Sequence, residues 1–420
     1  MRSSEGSSLF SGQRRASSAS TSRSPVWRSS AEGVEDWRGA LLTGQVYEAP
    51  EAVPYGPAEH GRPGWSRGIP ADDTGRVKAA DVTVDDLDRR IVAALQIDGR
   101  ASWRRIASAL GEPERTVARR GARLLEAGLV TVTGLISRGE TVIVRLQCRP
   151  GTVRDAAVAT ALRGDTVFSY VLAGPLDCVA EVQCPPEQLA RFMLDELPAL
   201  PGIAVQHVSP VLRYFRTVHE WHPGILDAAE TAALSRFPAP PEGVSAPVEE
   251  LGPEEWRILE ALAEDGRRTH EELAALAGVS EATARRRVES LSRSGRISIR
   301  ASVEPALLGL PVEALLWIRT RPDEVAGVGR LLLESPLVRY AAEVMGEYQL
   351  LVDVTQPSKE ALHRFLSTEP WVRKAEAVQS SLVVEAWKRS AAPTPLLRER
   401  LAQQRSGTDD LTSAGGVGAR

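Results

Sequence analysis

The 420-residue sequence is poor in several residue types, and each scarcity excludes a class of protein. Its three cysteines, Cys148, Cys178 and Cys184, are too few for a disulfide framework, and their spacing matches no zinc motif. No apolar run approaches the roughly 18 residues that a membrane-spanning helix needs, and the N-terminus lacks a continuous apolar signal region. We therefore expect a cytoplasmic protein without a metal site or a membrane partner.

The sequence also lacks an excess of charge of either sign. It has 51 Lys+Arg against 55 Asp+Glu, a net charge of −4. This balance excludes a histone-like or polybasic protein, so only local clustering of arginine could support nucleic-acid binding. No P-loop, glycine-rich dinucleotide motif or Ser-His-Asp arrangement is present, and we predict neither an enzyme nor a bound cofactor.

What the sequence does contain is an internal repeat. IVAALQIDGR, from Ile91, resembles ILEALAEDGR, from Ile258, and the ungapped comparison over 38 positions has about 14 identities. Further along, AGPLDCVAEV, from Ala173, aligns with MGEYQLLVDV, from Met345, after a register shift of about five residues. The chain is therefore predicted to carry one bipartite unit twice, which we name copy one and copy two.

The first half of each copy is predicted to hold three short helices. Apolar residues recur at helical spacing, and Gly111 or Gly278 supplies a tight turn before the third helix. After Gly128 and Gly295, alternating runs predict a strand or wing. This order is typical of a winged helix-turn-helix, whose second helix enters the major groove of DNA.

Arginine clusters on the outward face of the third helix of each copy, which is the second helix of the helix-turn-helix motif. From Val279 to Arg300 the local charge is about +4, and in copy one it is about +1. A single basic helix is usually a solvated surface, but recurrence at the same offset favours double-stranded DNA as the partner. The predicted DNA-binding residues are Arg115, Thr116, Arg119, Arg120, Arg123, Ser280, Thr283, Arg285, Arg286, Arg287 and Arg293.

The second half of each copy alternates strands and helices. Its order, βαββαβ, is that of the ferredoxin-like split. The predicted fold class is thus α/β (α+β), with two winged helix-turn-helix domains alternating with two ferredoxin-like domains of the dimeric α/β barrel type. Fold alone does not specify function.

These segments resemble the Lrp/AsnC (feast/famine) family of transcriptional regulators, present here twice in tandem. The residues that carry the resemblance are LDRRIVAALQIDGRAS, SEATARRRVESL, PALLGLPVEALLWI and MGEYQLLVDV. The family implies an amino-acid-responsive module that dimerises and binds effectors near a Gly-x-x-Asp-like turn. The effector-binding residues so implied are Gly174, Asp177, Gly346, Glu347, Tyr348 and Gln349.

The two turns differ, because Gln349 stands where copy one has Asp177. The Asp177 carboxylate could pair with an effector ammonium, and the copies would then differ in ligand. The alternative is structural, with glycine allowing a tight hairpin turn and Asp177 capping it. Copy one also has Pro113 where the family usually has a capping serine.

The resemblance implies the following boundaries: a disordered tail 1–80, winged helix-turn-helix 81–136, ligand-sensing domain 137–221, linker 222–250, winged helix-turn-helix 251–303, ligand-sensing domain 304–390 and disordered tail 391–420. The first tail, rich in Ser and Arg, is also compatible with a transit peptide or a start codon placed too far upstream. We expect a covalent pseudo-dimer that assembles into a homo-oligomer, associates with the nucleoid and binds a small effector, commonly an amino acid.

A tetrapyrrole (sirohaem-type) decarboxylase with the same double architecture is the alternative function. His219 and His222 are the only closely spaced histidines, and we interpret them as linker residues rather than as ligands. Two arginine-bearing helices have no purpose in such an enzyme, so the regulator is preferred. Because copy two is more basic, its helix is expected to dominate DNA affinity.

Overall fold

The computed structural model describes residues 84–137, 139–236 and 251–403. The predicted tail 1–80 lies outside the described residues, as do residues 237–250 of the predicted linker and residues 404–420. Within the described ranges, no helix is both long and apolar enough to cross a bilayer.

The elements of copy one follow the predicted order. They are α1 (Asp86–Ile97), α2 (Trp103–Leu110), α3 (Glu114–Glu126), β1 (Val130–Ile136), β2 (Thr141–Cys148), α4 (Val153–Ala161), β3 (Thr166–Ala173), β4 (Cys178–Gln183), α5 (Leu189–Arg191), β5 (Ile203–Arg216) and α6 (Ala228–Leu234). The predicted second helix of the α/β half is irregular, because α5 is one turn between a 3-10 turn, Pro186–Gln188, and a π-helical turn, Phe192–Glu196.

Copy two repeats this order with a regular second helix. Its elements are α7 (Pro253–Glu264), α8 (His270–Ala277), α9 (Glu281–Arg293), β6 (Ile297–Val303), β7 (Val312–Arg319), α10 (Val325–Leu333), β8 (Val338–Val344), β9 (Leu350–Gln356), α11 (Lys359–Thr368), β10 (Ala377–Arg389) and β11 (Ala392–Pro393). Residues 395–403 are also helical.

The α/β halves of the two copies close into one eight-stranded barrel. Within each half the strand orders are β3-β4-β2-β5 and β8-β9-β7-β10, as the ferredoxin-like split requires, and all pairs are antiparallel. The last strand of each copy then pairs with the other copy, β5 with β8 and β10 with β3. The predicted fold class is confirmed, and the two copies pair within one chain.

The strands that follow the helix-turn-helix units pair with each other. β1 and β6 form a two-stranded antiparallel ribbon in which Thr133 lies opposite Arg300. In the numbering of the repeat these two positions are equivalent, so a pseudo-two-fold axis passes between them. The strand predicted as a wing is therefore half of a ribbon shared by both copies.

Apolar side chains fill separate cores on either side of these sheets. Ile143, Leu315 and Trp317 lie in the cluster that packs inside the barrel. Other clusters lie beneath the helices of each α/β half and within each helix-turn-helix unit. This alternation of inward and outward residues is what the strand patterns predicted.

Two segments predicted to lack structure are folded where they are described. In the predicted linker 222–250, helix α6 packs on α2 and buries Leu234 completely. In the predicted tail 391–420, residues 392–403 fold back onto copy one, and Leu397 is buried there. Both segments are short and polar by composition, but a single apolar face that meets an existing core suffices to fix them.

Candidate nucleic-acid interface

The two helix-turn-helix units have the turn geometry that the sequence predicts. Gly111 and Gly278 end α2 and α8 with φ angles of 68° and 70°, in the left-handed region that favours glycine. In copy two, the Ser280 hydroxyl accepts a hydrogen bond from Thr283 N at 3.2 Å and caps α9. In copy one, Pro113 occupies the cap position and no side-chain hydrogen bond caps α3.

The helices α3 and α9, each the second helix of its helix-turn-helix motif, bury one face and expose the other. In α9 the inner face consists of Ala284, Val288 and Leu291. In α3, Gly121 packs so closely on Trp103 that a Cβ at position 121 would lie 2.3 Å from the ring. The arginines of both helices are thereby confined to the outer faces and flanks.

The outer face of α9 is strongly basic. Arg285, Arg286 and Arg293 are exposed, and Arg285 makes only a long ion pair with Glu281, at 3.4 Å. Within the described part of the chain, no carboxylate pairs with Arg286. Arg287 lies on the flank and pairs with Glu254 of α7 at 3.4 Å. Exposed guanidinium groups of this kind are suited to phosphate or guanine contacts.

The outer face of α3 is partly neutralised. Arg115 and Arg119 are exposed, and neither has an ion-pair partner among the residues that the structure describes. Arg120, however, pairs with Asp85 at 2.6 Å and with Asp88 at 3.1 Å, and Arg123 pairs with Asp88 at 2.6 Å. The predicted role of Arg120 and Arg123 in DNA binding would require these ion pairs to open.

The acidic partners are held in place by the start of α1. Asp85 and Asp88 form a capping box, in which each side chain accepts a hydrogen bond from the other's backbone nitrogen, at 3.0 and 3.2 Å. Hydrogen bonds donated by Asp88 N and by Arg120 lower the pKa of the Asp85 carboxyl, and the bonds that Arg120 donates to Asp85 and Asp88 raise the pKa of Arg120. Asp88 is fully buried, so this pairing is a fixed feature of copy one.

The repeated Asp-Gly-Arg motif fixes the two helix-turn-helix units relative to each other. Gly99 N donates to Ile299 O at 3.0 Å, and Gly266 N donates to Val132 O at 2.9 Å. These bonds are equivalent under the pseudo-two-fold axis. Both glycines lie directly against the ribbon, because a Cβ on Gly99 would lie 2.7 Å from the Val132 side chain and a Cβ on Gly266 would lie 2.7 Å from the Ile299 side chain.

The arginine of each motif also donates hydrogen bonds to the backbone of the other copy. Arg100 donates to Gly266 O at 2.7 Å, and Arg267 donates to Gly99 O at 2.7 Å while stacking on Trp103. No pattern in the sequence had predicted this role for the motif. The available signal was that Asp-Gly-Arg is identical in both copies, whereas the residues around it vary.

The turns predicted to bind an effector have a shared structural function. The Asp177 carboxylate accepts a hydrogen bond from Cys148 N at 2.7 Å, and the Gln349 side-chain oxygen accepts one from Thr320 N at 3.1 Å. These pairs are equivalent in the repeat, so the replacement of acid by amide conserves the bond. This arrangement fits the structural alternative for both positions.

The other turn residues lie close to the neighbouring copy. Gly174 packs so tightly on Ser381 that a Cβ would lie 2.2 Å from its hydroxyl oxygen, and Gly346 has a φ of 135°. Tyr348 donates to the side-chain oxygen of Gln379 at 3.1 Å, and Glu347 lies 3.8 Å from Arg319. The structure thus places these residues at the seams where the two copies meet.

Comparisons with known proteins identify the helix-turn-helix units. The family model described as the AsnC-type helix-turn-helix domain matches residues 84–125 and 256–292. Over 126 residues the chain is 32% identical to an uncharacterized HTH-type transcriptional regulator, PF1231, of Pyrococcus furiosus, a match that covers 30% of this chain and 84% of that protein. It is 26% identical over 133 residues to the HTH-type transcriptional regulator FL11 of the same organism, covering 31% of this chain and 88% of that protein.

Among solved structures, the siroheme decarboxylase NirDL in complex with an iron-uroporphyrin III analogue is similar over 73% of this chain and 93% of that chain, with 15% identity and a TM-score of 0.48. The sequence matches and the duplicated helix-turn-helix geometry agree with each other. The chain belongs to the Lrp/AsnC family of DNA-binding transcriptional regulators, as a tandem duplication within one polypeptide.

Proposed function

We propose that the chain acts as a covalent pseudo-dimer that binds an imperfect palindrome, one half-site to each helix-turn-helix unit. The observation that carries this proposal is that Arg119 and Arg286 correspond to each other in the two copies. These residues occupy equivalent positions of α3 and α9, both are exposed, and neither is ion-paired within the described residues. The ribbon and the crossed Asp-Gly-Arg motifs hold the two helices in a fixed two-fold relation.

A fixed two-fold pair of recognition helices fits a DNA site whose half-sites repeat with two-fold symmetry. Half-sites for paired helix-turn-helix units lie about one helical turn apart, about 10 base pairs centre to centre. Since α3 and α9 differ in charge and in capping, the two half-sites should differ in sequence. The half-site bound by α9 is expected to contribute more to affinity, because more of its arginines are exposed.

The test is binding to the DNA upstream of the protein's own gene, measured by gel shift over a range of salt concentrations. Replacing Arg119 and Arg286 together with Ala should lower affinity on the order of tenfold to a hundredfold and reduce the salt slope by about two. The matched control replaces Arg191 and Arg321, two exposed arginines outside both helix-turn-helix units, and removes the same charge. Equal losses in both double variants would contradict the proposal.

We infer that the effector is a small molecule of the amino-acid class, acting on a higher oligomer of these pseudo-dimers. The support is the family resemblance and the position of both Gly174 and Gly346 at the seams between copies. A thermal-shift screen over the amino acids tests this inference. An amino acid that raises the unfolding temperature and changes the gel shift would support it, and the absence of any such amino acid would contradict it.

A further inference from the structure

Cationic and aromatic side chains meet at the junction between the ribbon and the barrel. Arg300 projects from β6 and is only 5% exposed. Its Nη2 donates to the backbone oxygen of Trp221 at 2.9 Å. Its Nη1 is buried and has no hydrogen-bond partner among the described residues. Arg339, at the start of β8, stacks over the Trp221 indole with its Cζ 5.4 Å from the ring centroid.

His219 lies two residues before Trp221, whose backbone oxygen accepts from Arg300. Both of its ring nitrogens are buried, and neither makes a hydrogen bond to a described residue. Burial, and then the charge of Arg300, lower the pKa of His219 to about 3. We name Arg300, Arg339, His219 and Trp221 the junction cluster.

Neighbouring charged groups leave the junction cluster with an excess of positive charge. Arg339 is paired with Glu313, at 3.0 Å, and Arg216 donates to the carbonyl oxygens of Leu333, Ser335 and Val338. Glu220 acts on Arg300 only at a distance, because its carboxylate accepts from Thr217 N at 2.8 Å. His222 lies at the surface beside these groups and is a second histidine near Arg300.

A buried guanidinium group with an unused N–H is costly unless an acceptor meets it. Burial and the neighbouring Arg339 lower the pKa of Arg300 to about 9, so the group still carries its charge at pH 7. An oxyanion beside Arg300 Nη1 and His219 would accept from the guanidinium and would favour the protonated imidazole. An anion also offsets the charge of Arg300, whereas a cation would be repelled by it.

Among the described residues the junction cluster occurs once, although the chain is duplicated. Thr133 occupies the ribbon position equivalent to Arg300. After the last strand of copy two, residues 390–394 read Ser-Ala-Ala-Pro-Thr and contain neither histidine nor tryptophan. A ligand at the cluster would therefore bind once per chain, whereas a ligand at the turns of the two copies would bind twice.

We propose that the junction cluster binds one small oxyanion per chain, the carboxylate or phosphate group of an effector. The ligand would contact β6 of the DNA-binding pair and the segment that follows β5 of the barrel. It would thus connect the two halves of the molecule. A regulatory role for the junction cluster rests on the proposed DNA-binding function, whereas anion binding at the cluster does not depend on that function.

The test is isothermal titration calorimetry of the full chain with inorganic phosphate and, separately, with succinate. We expect one site per chain for at least one of the two anions. As the pH falls from 7 to 5, the wild type should also gain affinity relative to His219→Gln, since the bound anion raises the pKa of His219 and the titration of the anion itself is common to both proteins. Whichever of phosphate and succinate binds more tightly identifies the preferred group.

Arg300→Gln should weaken this binding on the order of tenfold or more, because a charge-assisted hydrogen bond is lost. The absence of this gain in His219→Gln tests the site even if the Arg300 variant does not fold. Arg319→Gln, which removes a half-exposed charge from β7, is the control and should bind as the wild type does. Two sites per chain, no binding of either anion, or unchanged affinity in both test variants would overturn the proposal.

A gel shift with the same preparations, without added anion, keeps the two proposals separate. DNA binding without anion binding contradicts the junction site alone. Anion binding without DNA binding leaves the junction site in place and contradicts the proposed function.

Discussion

The two copies of the unit place arginine at equivalent positions of their second helices, yet the surroundings of those arginines differ. In copy one, Arg120 and Arg123 are bound by the buried carboxylate of Asp88. In copy two, Glu255 is the equivalent acid, and among the described residues its carboxylate accepts only from Gly252 N, at 2.9 Å. The first helix therefore decides how much of the positive charge on the second helix remains available to DNA.

The barrel interior shows a second difference between the copies. Glu181 of copy one accepts a hydrogen bond from Tyr214 and lies near Tyr340, so its partners are hydroxyl groups. Its equivalent, Asp353, lies among charged groups, 3.9 Å from Arg339 and close to Glu313, which Arg389 binds at 2.6 Å through both oxygens. A duplicated backbone thus accommodates either a neutral cluster or an ion-pair network at the same position.

The largest expected effect is the pH dependence of stability that Glu181 contributes in the barrel interior. Burial raises the pKa of Glu181 to about 7, against its ordinary value of 4.5, so the folded state holds this proton more tightly than the unfolded state does. The stabilisation is present below about pH 4.5 and is lost as the pH rises towards 7, by on the order of 3 kcal/mol. Glu181→Gln should reduce the fall of the unfolding temperature over this range without abolishing it, because burial also raises the pKa of Asp353. Glu347→Gln, an exposed control, should leave the fall unchanged.

The second prediction concerns the acids at the start of each unit. Asp88→Ala should destabilise copy one by about 2 kcal/mol, because it removes a buried carboxylate and leaves two arginines unpaired. Glu255→Ala should cost less than about 1 kcal/mol, since it removes one capping bond. Hydrogen exchange of α1 and α7 measures both losses locally. Equal losses would mean that the ion pairs of copy one contribute little.

The third prediction compares the recognition helices directly. Replacing Arg286 and Arg287 with Ala should weaken operator binding about tenfold more than replacing Arg119 and Arg120, because Arg120 is already bound by Asp85 and Asp88. Salt-titrated gel shifts of the two double variants provide the measurement. Similar losses would show that the ion pairs of Arg120 open on DNA.

The smallest expected effect is at the helix caps. Ser280→Ala should destabilise copy two by about 1 kcal/mol, since α9 loses its side-chain cap. Pro113→Ser should stabilise copy one by no more than about 1 kcal/mol by supplying the missing cap. Thermal unfolding of both variants checks these signs, and a gain from Ser280→Ala would refute the role of the cap.

The sequence predicted local structure well where one short segment contains the whole signal. The glycine turns at Gly111 and Gly278 and the order of the strands follow from patterns that a few neighbouring residues determine. Helix α6 was missed because its stability comes from packing Leu234 on a distant core. The same reason applies to residues 395–403, whose Leu397 is buried by copy one.

The candidate site was predicted less completely than the fold. Exposure of Arg119 and Arg286 follows from helical periodicity, which places them opposite the buried face. The binding of Arg120 by Asp85 depends on how α1 and α3 cross, a relation across 35 residues that no local pattern contains. The role of Asp177 likewise depends on Cys148, which is adjacent only in the folded sheet.

The sequence by itself determined the repeat, the helix-turn-helix units, the two α/β halves and the family, because each depends on periodicity and on residue types within short segments. The tertiary structure decided which arginines remain available to bind DNA. It paired four arginines with acids or carbonyl oxygens from elsewhere in the chain, joined the two copies through the ribbon and the barrel, and gathered Arg300, His219 and Trp221 at one junction. Hydrogen bonds and burial act between groups that are close in space, so distance along the chain does not reveal them.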